Sequence, residues 1–133
     1  MSVTGEFFVA AVVLRDAAGR VAMVRKRETT MFMLPGGKIE PGETPDATAC
    51  REIAEELGVA LDRAHLVSWG SYRTPTANEP GFVLNSDVFA YTVPVAGAAP
   101  AAEIVELAWV DPAQGPADDW APLTVALLPR LRG

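Results

Sequence analysis

Apolar positions along this chain follow two periods, and these periods predict its strands and helices. Short apolar runs rich in β-branched and aromatic residues predict strands, whereas apolar residues three and four positions apart predict a helix. The predicted strands are 7–14, 21–24, 66–73, 82–93 and 104–110, and the predicted helices are 45–57 and 123–131. This order predicts an α/β protein in which helices pack against a mixed β-sheet.

Turn-forming residues separate these elements. The segment 16–19, which ends in glycine, predicts a hairpin turn after the first strand. Pro35, Gly36 and Gly37 predict a tight turn after the short apolar run 31–34. The length of 133 residues suits one hydrophobic core, so we expect a single domain over residues 1–133.

The first predicted helix has clear sequence signals at both ends. Thr44 is a suitable N-cap, and Pro45 suits the first helical position because its missing N–H would have no partner there. Gly58 is expected to end the helix in a left-handed conformation.

The composition limits the kinds of partner that this protein can bind. The formal net charge is −6, and an acidic surface without a Lys/Arg cluster repels a nucleic-acid backbone. The single cysteine forms no intramolecular disulfide, which fits a reducing compartment, so a cytoplasmic location is expected. The longest apolar run near the start, 7–14, is too short to span a bilayer, so no membrane segment is expected.

Three glutamates share one face of the first predicted helix. On a wheel that turns about 100° per residue, Glu52, Glu55 and Glu56 fall within an arc of about 100°. The opposite face is predicted to pack on the sheet, and it consists of Cys50, Ile53, Ala54 and Leu57.

Two interpretations of this acidic stripe are open. Glutamate is a good helix former, so the stripe is explained by a solvated face. However, like charges one turn apart weaken a helix, and Arg51 is the only basic residue nearby. A divalent cation that also binds substrate phosphates would relieve this repulsion, because Mg²⁺ prefers carboxylate and phosphate oxygens. Gathering three acids also predicts raised pKa values for some of them when no metal is bound.

The spacing around this helix resembles the Nudix box of the MutT-like Nudix hydrolases. From Gly37 the chain reads five residues to Glu43, then seven to Arg51-Glu52-Ile53, one to Glu55-Glu56, and one to Gly58-Val59. All nine specified positions match over residues 37–59. The flanking strand order is also similar, so the resemblance implies the family's α/β/α sandwich, a mixed sheet with helices on both sides.

The resemblance implies a metal site and a structural framework around it. Glu52, Glu55 and Glu56 are expected to hold Mg²⁺ or Mn²⁺ and to be catalytic, and the Gly36 carbonyl is a further candidate ligand. The framework residues implied by the box are Gly37, which makes a bend, Gly58, which ends the helix, and Arg51, which orients a glutamate, with Glu43 as its expected partner.

Family members often carry a further acid six residues before a strand tryptophan. Glu103 lies six residues before Trp109, and Glu106 lies three before it. Either acid is a candidate metal ligand or general base, and we favour Glu103 for both roles. The alternative is that both are ordinary surface acids beside a strand.

Basic and polar residues outside the box are candidates for binding the substrate. The predicted contacts are Arg25, Arg27, Gly37, Lys38, Arg73 and Asn78. For the basic residues that follow the second strand, a solvated strand end explains the pattern equally well.

The activity implied by the resemblance is Mg²⁺-dependent hydrolysis of the pyrophosphate linkage in a nucleoside diphosphate joined to another group. Nucleoside triphosphates, nucleotide sugars and ADP-ribose all belong to this class of small-molecule partner. The alternative is a Nudix-fold module that binds or senses a nucleotide without catalysis. Relatives are often dimers, so a homodimer is a further expectation.

Overall fold

The structure, a computed structural model, describes residues 5–133. Its elements in chain order are β1 (Gly5–Val13), β2 (Val21–Lys26), β3 (Gly36–Lys38), α1 (Pro45–Leu57), β4 (Leu66–Pro75), β5 (Phe82–Tyr91), β6 (Ile104–Val110) and α2 (Pro122–Arg132). Every strand and helix predicted from the periodicity is present. No helix within residues 5–133 has both the length and the apolar character that a membrane span requires.

Two sheets form the central layer, between the two helices. The larger sheet has the order β3-β1-β5-β4, in which β1 and β5 run parallel and the other pairs run antiparallel. The smaller sheet pairs β2 with β6 antiparallel. One apolar cluster packs α1 against Ala10, Val12 and Leu14, and the other packs α2 against Ala11 and Val13. Alternate residues of β1 therefore face opposite helices, as the two-residue period of a strand requires.

The predicted hairpin turn at 16–19 is present, but its two strands separate. The Asp16 N–H donates to the Arg20 carbonyl at 3.0 Å, and Arg15 and Val21 form an isolated bridge. Beyond this bridge β2 leaves β1 and pairs with β6, from Val21 opposite Val110 onward.

The prediction of a tight turn at Pro35-Gly36-Gly37 was wrong, because Gly36 begins the strand β3. Gly36 lies opposite Ala11 in the antiparallel pair with β1 and has a φ of 152°. A side chain at this position would overlap the carbonyl oxygen of Ala10. The glycine that suggested a turn is instead needed for the close approach of two strands.

We expect Gly36→Ala to lower the free energy of unfolding by about 2 kcal/mol, because it combines an unfavourable φ with backbone overlap. Gly19→Ala is the control, since Gly19 also has a positive φ of 80° but a Cβ there meets no atom within 4 Å. Urea unfolding of both variants measures the difference. Equal losses in the two variants would show that the contact with Ala10 costs nothing.

Helix α1 has the predicted bounds but a different packing face. Ile53 and Leu57 are buried as predicted, whereas Ala54 is exposed and Cys50 is only half-buried. Thr48 and Ala49, together with Glu56, complete the buried face. This face is centred near Ile53, and Glu56 lies within it at about 60° from Ile53 on the helical wheel.

Candidate active site

The carboxylate of Glu56 is buried beside β3. Only 2% of Glu56 is exposed, and its Oε1 accepts a hydrogen bond from the Gly36 N–H at 3.1 Å. Its Oε2 is buried and has no hydrogen-bond partner among residues 5–133. The interpretation of the acidic stripe as a solvated face is therefore wrong for this residue.

Burial also changes the protonation of the two inner glutamates. It raises the pKa of Glu56 to about 8, against a smaller lowering by the Gly36 N–H and a further rise from the charge of Glu52. The pKa of Glu52 is raised mainly by burial, which the hydrogen bond from Arg51 opposes. The predicted rise in pKa is present, but removal from water is its largest cause and repulsion between the acids is secondary.

Arg51 connects the helix to the loop before it. Its Nε and Nη2 donate to the two oxygens of Glu43 at 2.7 and 3.0 Å, which is the contact expected from the sequence. Its Nη1 donates to Oε1 of Glu52 at 2.6 Å, and its Nη2 reaches the Lys38 carbonyl at 3.1 Å. The hydrogen bonds from Arg51, followed by those from the Thr48 hydroxyl and the Glu40 N–H, hold the pKa of Glu43 down at about 2. One guanidinium thus fixes a loop acid, a helix acid and β3 in a single arrangement.

Gly37 lies against the carboxylate of Glu52 on α1. A Cβ on Gly37 would overlap the carboxylate of Glu52, so glycine at this position leaves space for that side chain. The Glu52 side chain is only 13% exposed, whereas that of Glu55 is 53% exposed and lies 3.4 Å from Nη1 of Arg51. Two of the three glutamates therefore face inward, and the third lies at the surface.

A cleft of about 540 Å³ opens beside these groups, on the face of the large sheet that also packs α2. Seven of the residues predicted for the site line it: Arg27, Gly36, Gly37, Lys38, Glu52, Asn78 and Glu103. Lys26 also lines the cleft, and its Nζ lies 3.3 Å from Oε1 of Glu103.

The two acids before Trp109 lie in different environments. Glu103 lines the cleft, and its charge contributes to the raised pKa of Glu56. Glu106 does not line it and accepts a hydrogen bond from Nε of Arg25 at 2.7 Å. The structure therefore brings Glu103 to the site and leaves Glu106 in a surface ion pair.

Two predicted substrate contacts do not line the cleft. Besides Glu106, Arg25 donates to the Thr29 carbonyl at 2.8 Å, so its guanidinium is already occupied. Arg73 lies opposite Asn85 on β5 and pairs with Glu6 and Asn85, on the sheet face that packs α1. Neighbouring residues of a strand point to opposite faces of the sheet. Which face Arg73 occupies depends on how β4 pairs with β5, and the sequence around Arg73 does not show this pairing.

The residues predicted for the site include none from the apolar part of the cleft and none from α2. Apolar lining comes from Phe7 and Val9 on β1 and from Leu84 on β5, and residues 121–124 at the start of α2 close one part. Phe7 also stacks on Phe82 with ring centroids 5.4 Å apart, and Nζ of Lys38 lies 4.6 Å from the Phe7 ring. The alternation along β1 was a usable signal that Phe7 and Val9 share a face, but nothing local marks which face is open.

The carboxylate oxygens of the inner glutamates are suitable ligands for a hard divalent cation. Within residues 5–133 no three Asp, Glu, His or Cys side chains converge closely enough to form a complete metal site. The unpartnered Oε2 of Glu56 nevertheless offers a buried carboxylate oxygen next to Glu52, which is the ligand type that Mg²⁺ and Mn²⁺ prefer. Because Glu55 points to the surface, its side chain must rotate before it can join such a site.

Comparisons with known proteins agree with this architecture. The NUDIX domain profile matches residues 7–131. An 8-oxo-dGTP diphosphatase from Haemophilus influenzae is 33% identical over 72 residues, which cover 51% of this chain and 53% of that protein. An RNA pyrophosphohydrolase from Pseudomonas putida is 32% identical over 68 residues, covering 48% of this chain and 43% of that protein. The matches thus span about half the length of these curated relatives.

Among solved structures, the MutT protein of Methanosarcina mazei Go1 has a similar fold. The TM-score is 0.80 at 19% sequence identity, and the superposition covers 98% of this chain and 96% of that chain. The predicted α/β/α sandwich with a mixed sheet and helices on both sides is confirmed by this likeness.

Proposed function

This chain belongs to the NUDIX-domain family, and from that premise we propose that it hydrolyses the pyrophosphate linkage of a nucleoside diphosphate joined to another group. Mg²⁺ or Mn²⁺ is the proposed cofactor. The names of the 8-oxo-dGTP diphosphatase and the RNA pyrophosphohydrolase that it resembles both describe cleavage of a phosphoric anhydride, which supports this reaction class.

The observation that carries the proposal is the environment of Glu56. A buried carboxylate oxygen without a partner destabilises a fold, so its presence needs a compensating role. The Gly36 N–H fixes Oε1 and leaves Oε2 free. Gly36 donates a hydrogen bond to this carboxylate, and Glu52 is close enough for its charge to act on it. Because Gly36 and Glu52 both line the cleft, a cation bound beside them could also bind a ligand in the cleft.

Each side chain has a proposed task in this reaction. Glu52, Glu55 and Glu56 would hold the cation, and Arg51 would keep Glu52 in position. A bound divalent cation withdraws charge from the diphosphate and lowers the pKa of a water ligand. Because Glu103 lines the cleft, it is the proposed further ligand or general base.

The basic residues of the cleft are proposed to bind the phosphates. Lys26, Arg27 and Lys38 line it, and their charges would offset the repulsion between the acids and an anionic ligand. Asn78, on the loop between β4 and β5, lines the same cleft and is the proposed contact to the nucleoside.

We expect hydrolysis of at least one member of a panel of nucleoside triphosphates, nucleotide sugars and ADP-ribose in the presence of Mg²⁺. Chelation of the metal by EDTA should abolish turnover, and added Mn²⁺ or Mg²⁺ should restore it, because positioning and charge stabilisation supply most of the rate in phosphoryl transfer. Identification of the products by mass measures both turnover and the bond that is cleaved.

The Glu56→Gln protein, purified in the same way, is the control for contaminating phosphatases. If calorimetry detects nucleotide binding but no compound is turned over under any of these metal conditions, the proposal of hydrolysis is wrong and the alternative of a non-catalytic binding module takes its place.

A further inference from the structure

Two turns that contain strained residues meet at one corner of the cleft. They are formed by residues 26–29 (the Glu28 turn) and by residues 101–104 (the Ala102 turn). Glu28 and Ala102 have a φ of 62° and 52°, and no other residue among 5–133 except glycine has a positive φ. A residue with a Cβ disfavours this conformation, so it persists only where the surrounding structure imposes it. Strain of this kind is concentrated at functional sites, which directs attention to what these turns hold.

Ala102 occupies a turn position at which glycine is preferred. The Ile104 N–H donates to the Ala101 carbonyl at 3.0 Å and closes the turn, so Ala102 is its first central residue. The φ is positive at Ala102 and not at Glu103, which is the pattern of a type II′ turn. Ala102 is exposed, so burial of its methyl group does not offset the strain.

Main-chain hydrogen bonds tie the Ala102 turn to two neighbouring elements. The Ala101 N–H donates to the Glu56 carbonyl, in the last turn of α1, at 2.9 Å. The Glu103 carbonyl accepts from the Arg27 N–H of the Glu28 turn at 2.8 Å. The strained turn is therefore fixed both to the helix that carries the acidic stripe and to the turn that carries cleft cations.

The Ala102 turn carries Glu103 at the cleft. Glu103 is the second central residue of this turn, and its side chain lines the cleft although it is 56% exposed. Within residues 5–133 its carboxylate has one polar contact, from Oε1 to Nζ of Lys26 at 3.3 Å. Because so little else holds this side chain, the backbone of the turn largely decides where the carboxylate lies.

We propose that Ala102 is a positioning residue, whose positive φ holds the Ala102 turn in the conformation that keeps the Glu103 carboxylate at the cleft. This inference rests on the proposed function, in which Glu103 is a metal ligand or the general base. A misplacement of about 1 Å at a reacting group can lower a rate about a hundredfold, so a carboxylate fixed in advance is an advantage. The hydrogen bonds to α1 and to the Glu28 turn stabilise the strained conformation.

Two substitutions of Ala102 separate the effect of its φ from that of its side chain. Glycine adopts a positive φ readily, whereas a β-branched residue strongly disfavours it. We expect Ala102→Gly to retain most of the activity and Ala102→Val to lower kcat about tenfold at saturating Mg²⁺, with little change in KM. Amide hydrogen exchange at Arg27 and Ile104, measured without metal or nucleotide, should be faster in Ala102→Val only, because these N–H groups close and anchor the turn.

Ala17→Val is the matched control. Ala17 is also exposed and is also the first central residue of a turn, which the Gly19 N–H closes on the Asp16 carbonyl at 3.0 Å. Its φ is not positive, and it does not line the cleft. The same change of side chain should therefore leave both kcat and the exchange at Arg27 and Ile104 unchanged.

A second set of variants tests whether Ala102 acts through Glu103. In the Glu103→Gln background, Ala102→Val should lower kcat less than twofold, because the carboxylate that the turn positions is already absent. A further tenfold loss in that background overturns the inference, since Ala102 would then support the fold and not this carboxylate.

The remaining outcomes distinguish this inference from the proposed function. Wild-type turnover with an unchanged kcat in Ala102→Val overturns the inference and leaves the proposed function intact. Equal losses in Ala102→Gly and Ala102→Val also overturn it, because the methyl group and not φ would then be responsible. If the wild-type protein hydrolyses no nucleotide, the proposed function fails, and hydrogen exchange decides by itself. Faster exchange at Arg27 and Ile104 in Ala102→Val but not in Ala102→Gly then supports the positioning role, and equal rates overturn it.

Discussion

We expect Glu56→Gln to lower kcat/KM by at least about a hundredfold, equivalent to about 3 kcal/mol of transition-state stabilisation, while the protein stays folded. The amide keeps an oxygen that can accept the hydrogen bond from the Gly36 N–H. It replaces the unpartnered Oε2, which can lose its proton to a cation, by a neutral NH₂ group that no cation binds. Turnover measured over a range of Mg²⁺ concentrations, with a thermal melt of each protein, separates the chemical effect from unfolding.

Asp87→Asn is the control, because it also changes an acid to its amide, but on strand β5. The Asp87 carboxylate accepts a hydrogen bond from Ser71 and does not line the cleft, so its loss should leave turnover unchanged. Full activity of Glu56→Gln at saturating Mg²⁺ would remove Glu56 from the proposed metal site. Full activity of the double variant Glu55→Gln and Glu56→Gln would show that the chemistry lies elsewhere.

The second large effect is expected from Arg51→Lys, with a loss in kcat/KM of about tenfold to a hundredfold. A single ammonium group cannot reproduce the planar set of hydrogen bonds that Arg51 makes to Glu43, Glu52 and the Lys38 carbonyl. Glu52 would then lose the partner that orients it, and the apparent affinity for Mg²⁺ should fall together with kcat. Steady-state kinetics at several Mg²⁺ concentrations measure both.

Arg63→Lys provides the matched comparison, because Arg63 follows α1 in the chain and pairs with Asp46 in the first turn of that helix. Arg63 donates from Nε and Nη2 to Oδ2 of Asp46 at 3.1 and 2.7 Å, in an exposed pair that does not line the cleft. Exposed ion pairs contribute little to stability, so this change should alter neither Mg²⁺ dependence nor kcat. If the two substitutions reduce activity equally, Arg51 acts only through the stability of α1.

Helix α1 illustrates how far local sequence signals reach. Pro45 and Gly58 gave its bounds, because a missing N–H and a left-handed φ are backbone properties that act within one turn. The same sequence did not reveal that Glu56 is buried. On a helical wheel Glu56 belongs equally to the acidic stripe and to the edge of the face centred on Ile53, and only packing against the sheet decides between them.

The strands show the same difference between what local sequence predicts and what tertiary packing decides. Their existence followed from apolar runs, but the pairing of β2 with β6 joins residues that are 78 to 89 positions apart, from Lys26 with Ile104 to Val21 with Val110. Gly36 and Gly37 were interpreted as part of a turn, and Gly36 does have a positive φ, which turns also use. Glycine is required at position 36 because β1 approaches closely there, at Ala11, which lies 25 residues earlier in the chain.

The order of elements, the bounds of α1 and the Nudix box could be predicted from the sequence, because each depends on residues within a few turns or at fixed spacing. Tertiary structure alone decided which acids face inward, which cations line the cleft, and that Thr124 meets it with an unpaired hydroxyl. The physical reason is that burial and hydrogen-bond partners depend on which distant strand or helix covers a residue. Periodicity shows which residues share one face of a strand or helix, whereas strand pairing and helix packing decide what that face contacts.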